Sequence, residues 1–524
     1  MFTKVFPVPL SSSSFLSMKI GSFFIAGFSG TQVPKWLKAA IFQHDLFGVI
    51  LFARNFSNAE QVLMLCAELQ TLKKQVSTDP LLIGLDHEGG FVTRACDIIP
   101  GFPSALAQSK GGTLEATRVF FSHAGLTMRA LGMNCNFAPV LDLLPKRGSS
   151  SIGIRSFGSD PKIVAAFGAS ALQGMSDAGI LACGKHFPGL GSAKLDSHET
   201  LPTVSKSKKN LLSQDFFPFR ELIKIPMLMT AHAFYPALET EKIPATFSKM
   251  INQDLLRRKM NFKGVLVSDD LGMGAVTERF SIEEAALRAI SSGIDLALVC
   301  HAEEETLGIL NSLREIFFER IPEPVLVKSA ERKRMLFRHL KKMESKTLIK
   351  IKPRALTDKD QFLKLRRKIA KNVFEVFQTR STTTTNPQVL FSEKSILVLA
   401  LPGWIPKGVE ETPPALNRFF QKMQKRFPGS EMRVLKTAEA MKKFAGGKIK
   451  KQILLLAKDL ACHAPQRSFV EKLVSGKSGK IVCAVCVKNP EDAHFLKHFA
   501  DNVVCTLGFD EENWDAALDF CAKR

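Results

Sequence analysis

The chain has 524 residues, 45% of them hydrophobic and 23% charged, the composition of a globular protein too long for one hydrophobic core. No apolar run approaches the roughly 18 residues of a membrane-spanning helix, the longest being pieces such as "ILVLAL" at 396–401, so no transmembrane segment is expected. The net charge of +22 invites a nucleic-acid partner, but the excess is spread along C-terminal helix patterns such as "RKRMLFRHLKKMESK" with no DNA- or RNA-binding motif, and none is expected.

The first residues, "MFTKVFPVPLSSSSFLSMKI", carry one lysine and an apolar stretch broken by two prolines, which is a poor secretory signal. Residues 1–19 are expected to form a disordered leader. From about residue 20 to about residue 320, short apolar runs alternate with amphipathic segments. The candidate strands are 22–28, 48–53, 81–86, 134–142, 180–186, 226–232, 264–269 and 294–300. Between them lie helix patterns such as "NAEQVLMLCAELQTLKKQV", "DPKIVAAFGASALQGMSDAG" and "SIEEAALRAISSG". Eight such units predict an α/β fold, a (β/α)8 barrel of the TIM type over 20–320.

The strand ends carry the functional signal. The third ends in Asp86, the fourth in Asp142, the fifth in Lys185 and His186, the sixth in His232 and the seventh in Asp269, while His301 follows the eighth. A barrel opens at the C-terminal ends of its strands, so these groups converge on one mouth. Directly after the fifth strand runs "GKHFPGLGSAKLDSHETLP" (184–202), whose glycines and prolines allow an ordered loop that is not a helix. Asp196 and His198 are two residues apart in it, close enough for the carboxylate to bond a ring nitrogen and raise the imidazole's basicity. Such a pair is suited to moving protons.

That loop resembles the signature loop of the bacterial β-N-acetylglucosaminidases of glycoside hydrolase family 3, the NagZ-type group. Further matches follow in the same order: "LDHEGGFVTR" (85–94), "NFAPVLDL" (136–143), "IGIRSFGSDP" (152–161), "MTAHAFYPALE" (229–239), "PATFS" (244–248) and "GVLVSDDLGMGA" (264–275). The resemblance implies a retaining, exo-acting enzyme that removes terminal N-acetylglucosamine from peptidoglycan-derived muropeptides or glycan fragments. It implies Asp269 as the nucleophile that forms a covalent glycosyl-enzyme, His198 as general acid/base and Asp196 as its partner. Asp86, Arg94, Arg155, Lys185 and His186 match positions that bind the sugar. A histidine takes the place of the second carboxylate common in such enzymes, and it can give and take a proton near neutral pH. No cofactor and no metal is implied. The chain departs from the group at Leu190, where a second histidine is usual, and at His87, where glutamine is common. Leu190 makes the loop less polar and bears on how it closes.

Beyond the barrel, 321–390 reads as basic helices ending in a Thr-rich linker, "TRSTTTTNPQ". Residues 391–524 then alternate apolar runs ("SILVLAL", "QILLLA", "KIVCAVCV", "NVVCTLGF") with helix patterns, which predicts a smaller α/β sandwich domain without catalytic groups. Cys483 and Cys486 lie within such a run, with no turn or helix N-terminus to activate a thiolate, so no redox or metal role is expected. The ten cysteines are scattered through apolar segments, which suits free thiols in a reducing compartment and a cytoplasmic location.

Two rival readings share these residues: a phosphorolytic enzyme, since an imidazole does not repel an incoming phosphate as a carboxylate does, and a catalytically silent sugar-binding barrel. Retention of Asp269, His198 and Asp196 together argues against the silent barrel.

Overall fold

The computed structural model describes residues 18–350 except 96–97, 146–149, 194–196 and 198–199, and beyond 350 it describes five strands and a few helical residues. The leader up to residue 17, the Thr-rich run, Asp196 and His198 lie outside the described residues.

Eight parallel strands close into a barrel in sequence order: β1 (Phe24–Gly27), β2 (Gly48–Leu51), β3 (Leu82–Leu85), β4 (Cys135–Asn136), β5 (Leu181–Phe187), β6 (Met227–Thr230), β7 (Val265–Asp270) and β8 (Leu296–Val299). Pairing of Ile25 with Leu298 joins the last strand to the first. This is the (β/α)8 architecture expected from the repeat. Apart from Asp269 in β7 the eight strands are buried along their length, as parallel strands covered on both faces must be.

Period-two alternation divides their side chains. Ile25, Ile50, Leu82, Leu181, Cys183, Val265, Val267, Leu296 and Leu298 pack together inside the barrel. Phe24, Ala26, Val49, Ile83, Ala182, Leu266 and Ala297 face outward and pack with helix residues such as Leu65, Leu69, Phe120, Phe121, Ala171, Met175 and Ile290. Those helices start where short polar side chains satisfy their first free N–H groups. Asn58 caps Ala59–Lys74, Thr113 caps Leu114–Ala130, Asp160 caps Pro161–Ala178 and Ser281 caps Ile282–Ser292. Gly179 and Gly293 end two of them at φ 75° and 107°, where a Cβ would be strained.

β4 is shorter than the expected 134–142. Pro139 has no N–H to give a ladder, and side chains do part of the pairing: Asn134 Oδ1 accepts from Ile83 N at 2.8 Å, and Asn136 exchanges two 3.0 Å bonds with the His87 backbone.

The helix Glu323–Lys350 falls within the expected basic linker, and its central turns cover the N-terminal end of the barrel. Leu336, Phe337, Leu340 and Met343 join the interior cluster, and the Phe337 ring stacks 5.0 Å from Phe47, which precedes β2. Arg332 grips Asp295 through Nη2 at 2.6 Å, and Lys333 Nζ donates to Ser22 O at 2.7 Å. The apolar and charged faces of this helix thus both dock under the strands.

In the second half, β9 (Leu397–Ala400), β10 (Glu431–Val434), β11 (Ile453–Ala457), β12 (Ile481–Cys486) and β13 (Ala500–Cys505) form a parallel sheet in the order β10-β9-β11-β12-β13. Four of them follow the apolar runs. β10 does not, because it is short and includes Glu431 and Arg433. Among the described residues no helix is long and apolar enough to cross a membrane.

Candidate active site

All eight strands run the same way, so Asp86, Asp142, Lys185, His186, His232, Asp269 and His301 gather at the C-terminal mouth. Alternation decides which of them face the axis. Lys185 shares the parity of Leu181 and Cys183, and Asp269 that of Val265 and Val267, all of them interior residues.

On the β3–β5 side a buried ionic chain forms. Lys185 Nζ lies 2.6 Å from Asp86 Oδ1 and 2.6 Å from Glu88 Oε1. Glu88 also takes both prongs of Arg155, Nε and Nη2 each at 2.8 Å. Lys185 and Glu88 side chains are 3% exposed, whereas Asp86 is 19% and Arg155 23% exposed, so the outer two members face the opening. Burial alone would lower the Lys185 pKa, but Asp86 and Glu88 outweigh it and raise the group above its ordinary value. Burial would likewise raise the Glu88 carboxyl, and Arg155 with Lys185 instead holds it well below the usual carboxylate range. Lys185, Glu88 and Arg155 therefore stay charged across the neutral range. Glu88 lies within "LDHEGGFVTR", and no local pattern announces that it bridges two cations, Lys185 on β5 and Arg155 beyond β4.

His186 is turned by a carboxylate. Its Nδ1–H donates to Asp142 Oδ2 at 2.6 Å. Arg94 sits in the loop after β3 with its guanidinium 6.0 Å from the Phe52 ring. Its Nε is buried without a hydrogen-bond partner among the described residues. The two departures from the group's pattern are both packed away from the opening. Leu190 is 4% exposed and belongs to the outer core. His87 is fully buried against the Phe102 ring at 5.4 Å, with Nε2 3.1 Å from Pro100 O, and burial pushes its pKa down to about 4.

The end of β7 separates two adjacent carboxylates. Asp270 is buried, and its Oδ1 accepts from Gly272 N at 3.0 Å and Cys300 N at 2.9 Å. Its pKa is raised, burial outweighing those backbone donors. Asp269 is half-buried, and its Oδ1 accepts from Asp270 N at 2.9 Å. Beneath them, His232 Nε2–H donates to Asp270 O at 3.0 Å while Nδ1 accepts from Thr246 Oγ1 at 2.8 Å. Burial lowers the His232 pKa, so the ring is a neutral strut under the Asp270–Leu271 peptide.

Residues 16–332 match the family model described as glycosyl hydrolase family 3 N terminal domain. The chain belongs to glycosyl hydrolase family 3. Beta-hexosaminidase A of Pseudoalteromonas piscicida is 35% identical over 288 residues, a match spanning 51% of this chain and 48% of that one. A beta-hexosaminidase of Thiobacillus denitrificans is 38% identical over 277 residues, spanning 51% of this chain and 74% of its own. Among solved structures, a family 3 beta-N-acetylglucosaminidase from Paenibacillus sp. str. FPU-7 superposes with a TM-score of 0.82 at 27% identity, covering 98% of this chain and 97% of that one.

In this family 3 glycoside hydrolase the described part of the loop after β5 is anchored at both ends. Ser150 Oγ donates to Gly191 O at 2.5 Å and Ser151 N to Ala193 O at 3.2 Å. Further on, Ala275 N, in the segment that follows β7, donates to Ser197 O at 3.1 Å. The loop thus spans from β5 to the side of the mouth where Asp269 lies.

Proposed function

We propose that the chain is a retaining, exo-acting β-N-acetylglucosaminidase that releases terminal N-acetylglucosamine from muropeptide-type glycan fragments. The carrying observation is the pair at the end of β7. Asp270 is committed to backbone donors, which leaves Asp269 as the half-exposed carboxylate on the interior face of the mouth. Asp269 attacks the anomeric carbon as the glycosidic C–O bond breaks, and His198 gives its proton to the departing oxygen. In the second step His198 takes a proton from water, the water oxygen bonds to the anomeric carbon, and Asp269 is released. Two inversions leave the configuration unchanged. Asp196 orients the imidazole. The hydrogen bond at Ser197, which lies between these two residues in the chain, supports the loop's reaching the β7 side.

The sugar is held by Asp86, Arg94, Arg155, Lys185 and His186. In support, Asp86 and Arg155 face the opening while Glu88 and Lys185 fix them from within, so no rearrangement of charge is needed when a sugar arrives. A cytoplasmic site of action agrees with free, buried Cys66, Cys135, Cys183 and Cys300.

The test is product analysis on a GlcNAc-β-1,4-anhydro-N-acetylmuramic acid peptide, with and without phosphate. Free N-acetylglucosamine of β configuration in both cases is the expected result. N-acetylglucosamine 1-phosphate would show phosphorolysis, and an intact substrate would contradict the assignment.

A further inference from the structure

The turn His186–Leu190, at the root of the loop after β5, is wrapped around one buried carboxylate. Asp142 is fully buried. Its Oδ2 accepts from His186 Nδ1–H at 2.6 Å and from His186 N at 3.2 Å, and its Oδ1 accepts from Leu190 N at 2.6 Å. Within that turn Gly189 N donates to His186 O at 2.8 Å, and Tyr235 Oη, buried on the β6 side, donates to Gly189 O at 3.0 Å. Gly189 has φ 123°, and a Cβ there would lie 3.0 Å from Asp215 Cβ, so the backbone runs tight against its support. Packing of apolar residues alone asks for none of these polar contacts. A buried carboxylate is retained only where its lone pairs are used, and here they serve a sugar-binding residue and a loop together.

We infer that Asp142 is a positioning residue for the reaction, setting the His186 ring and rooting the loop that carries the proton-transfer pair. The inference rests on the reading given under Proposed function. Because a carboxylate only accepts, His186 carries a proton on Nδ1, which leaves Nε2 as the ring nitrogen for a sugar hydroxyl. The same carboxylate fixes the Leu190 N–H, so sugar contact and loop root share one anchor. Asp142 touches neither sugar nor leaving group in this account; it acts through His186 and through the turn.

Asp142→Asn keeps the shape and replaces one acceptor oxygen by a donor facing at least one N–H group. The experiment measures kcat and KM with a nitrophenyl N-acetyl-β-glucosaminide, whose leaving group needs no acid, and with diacetylchitobiose, whose leaving group does. Variants are Asp142→Asn, His186→Ala, their combination, Tyr235→Phe and His198→Ala, each checked for folding by thermal melting. Asp142→Asn is expected to lower kcat/KM about tenfold on the aryl substrate, through the sugar contact, and about a hundredfold on diacetylchitobiose, through that contact and the proton donor together. The combination should show no loss of aryl kcat/KM beyond that of His186→Ala. Should Asp142→Asn not fold, Tyr235→Phe decides, since it loosens the same turn without touching the carboxylate. Its kcat/KM should fall several-fold on diacetylchitobiose and stay unchanged on the aryl substrate, whose leaving group needs no proton. Equal kcat/KM loss on both substrates, or aryl kcat/KM losses that multiply in the combination, would overturn the inference. His198→Ala separates the two levels. If it shows the leaving-group dependence while Asp142→Asn and Tyr235→Phe do not, only the inference falls, and if His198→Ala shows none, the proton-transfer reading falls with it.

Discussion

Asp269 and Asp270 are neighbours in the chain with opposite fates: Asp270 is buried with its carboxylate bonded to the backbone of Gly272 and Cys300, and Asp269 remains half-exposed on the interior face of the mouth. The two should therefore fail differently when truncated. Asp269→Ala should abolish turnover on every substrate and leave the melting temperature nearly unchanged. Asp270→Ala orphans two buried N–H groups and should cost on the order of 2–4 kcal/mol of stability. Denaturant titration beside activity assays checks both. Comparable destabilisation by the two variants would contradict this division.

Glu88 holds Arg155 and Lys185 together, so Glu88→Gln should raise KM and destabilise the fold by roughly 3 kcal/mol, the cost of leaving buried cations under-compensated. The acid limb of the stability curve should also change. The folded-state pKa of Glu88 lies below its unfolded value of about 4.3, so its contribution is complete above that pH and is lost as pH falls toward the folded value. Melting between about pH 3 and about pH 7 should show a shallower acid loss in Glu88→Gln than in the native sequence.

Lys333 supplies a prediction with the opposite pH character. Its ammonium is buried under the barrel, 3.4 Å from the Phe23 ring centroid, and burial pulls its pKa down to about 7 against a partly compensating Asp295. The unfolded chain binds this proton up to about pH 10.4, so stability from this group rises between pH 7 and that value, and burial costs most below pH 7. Lys333→Met should raise the melting temperature at pH 6 more than at pH 9. A larger gain at pH 9 would contradict the reading.

The barrel was legible because eight short apolar runs, six of them with Asp, Lys or His at or just after their ends, leave little else to build. The length of β4 was not, since Asn134 and Asn136 side chains substitute for a backbone ladder and only the fold shows them opposite Ile83 and His87. The helix under the barrel was hidden by its own composition. Arg332 and Lys333 read as solvated basic charge, yet they point inward to Asp295 and Phe23. At the site, Asp86, Lys185 and Asp269 were visible as strand-end residues, while the parts played by Glu88 and Asp142 depend on which groups three loops bring beside them. Leu190 reads in sequence as a lost polar group. In the structure its side chain packs in the core and its N–H serves Asp142.

The central claim is a glycosyl-enzyme on Asp269 formed and resolved with the help of His198. In His198→Ala the second step lacks its base, so an activated aryl N-acetyl-β-glucosaminide should glycosylate the enzyme faster than water releases it. Mass spectrometry of the quenched, digested variant should find one N-acetylhexosamine added to the peptide containing Asp269, and azide should restore turnover by replacing the unactivated water. Unmodified Asp269 peptide under steady turnover, with equal rate loss on activated and unactivated substrates, would contradict the account.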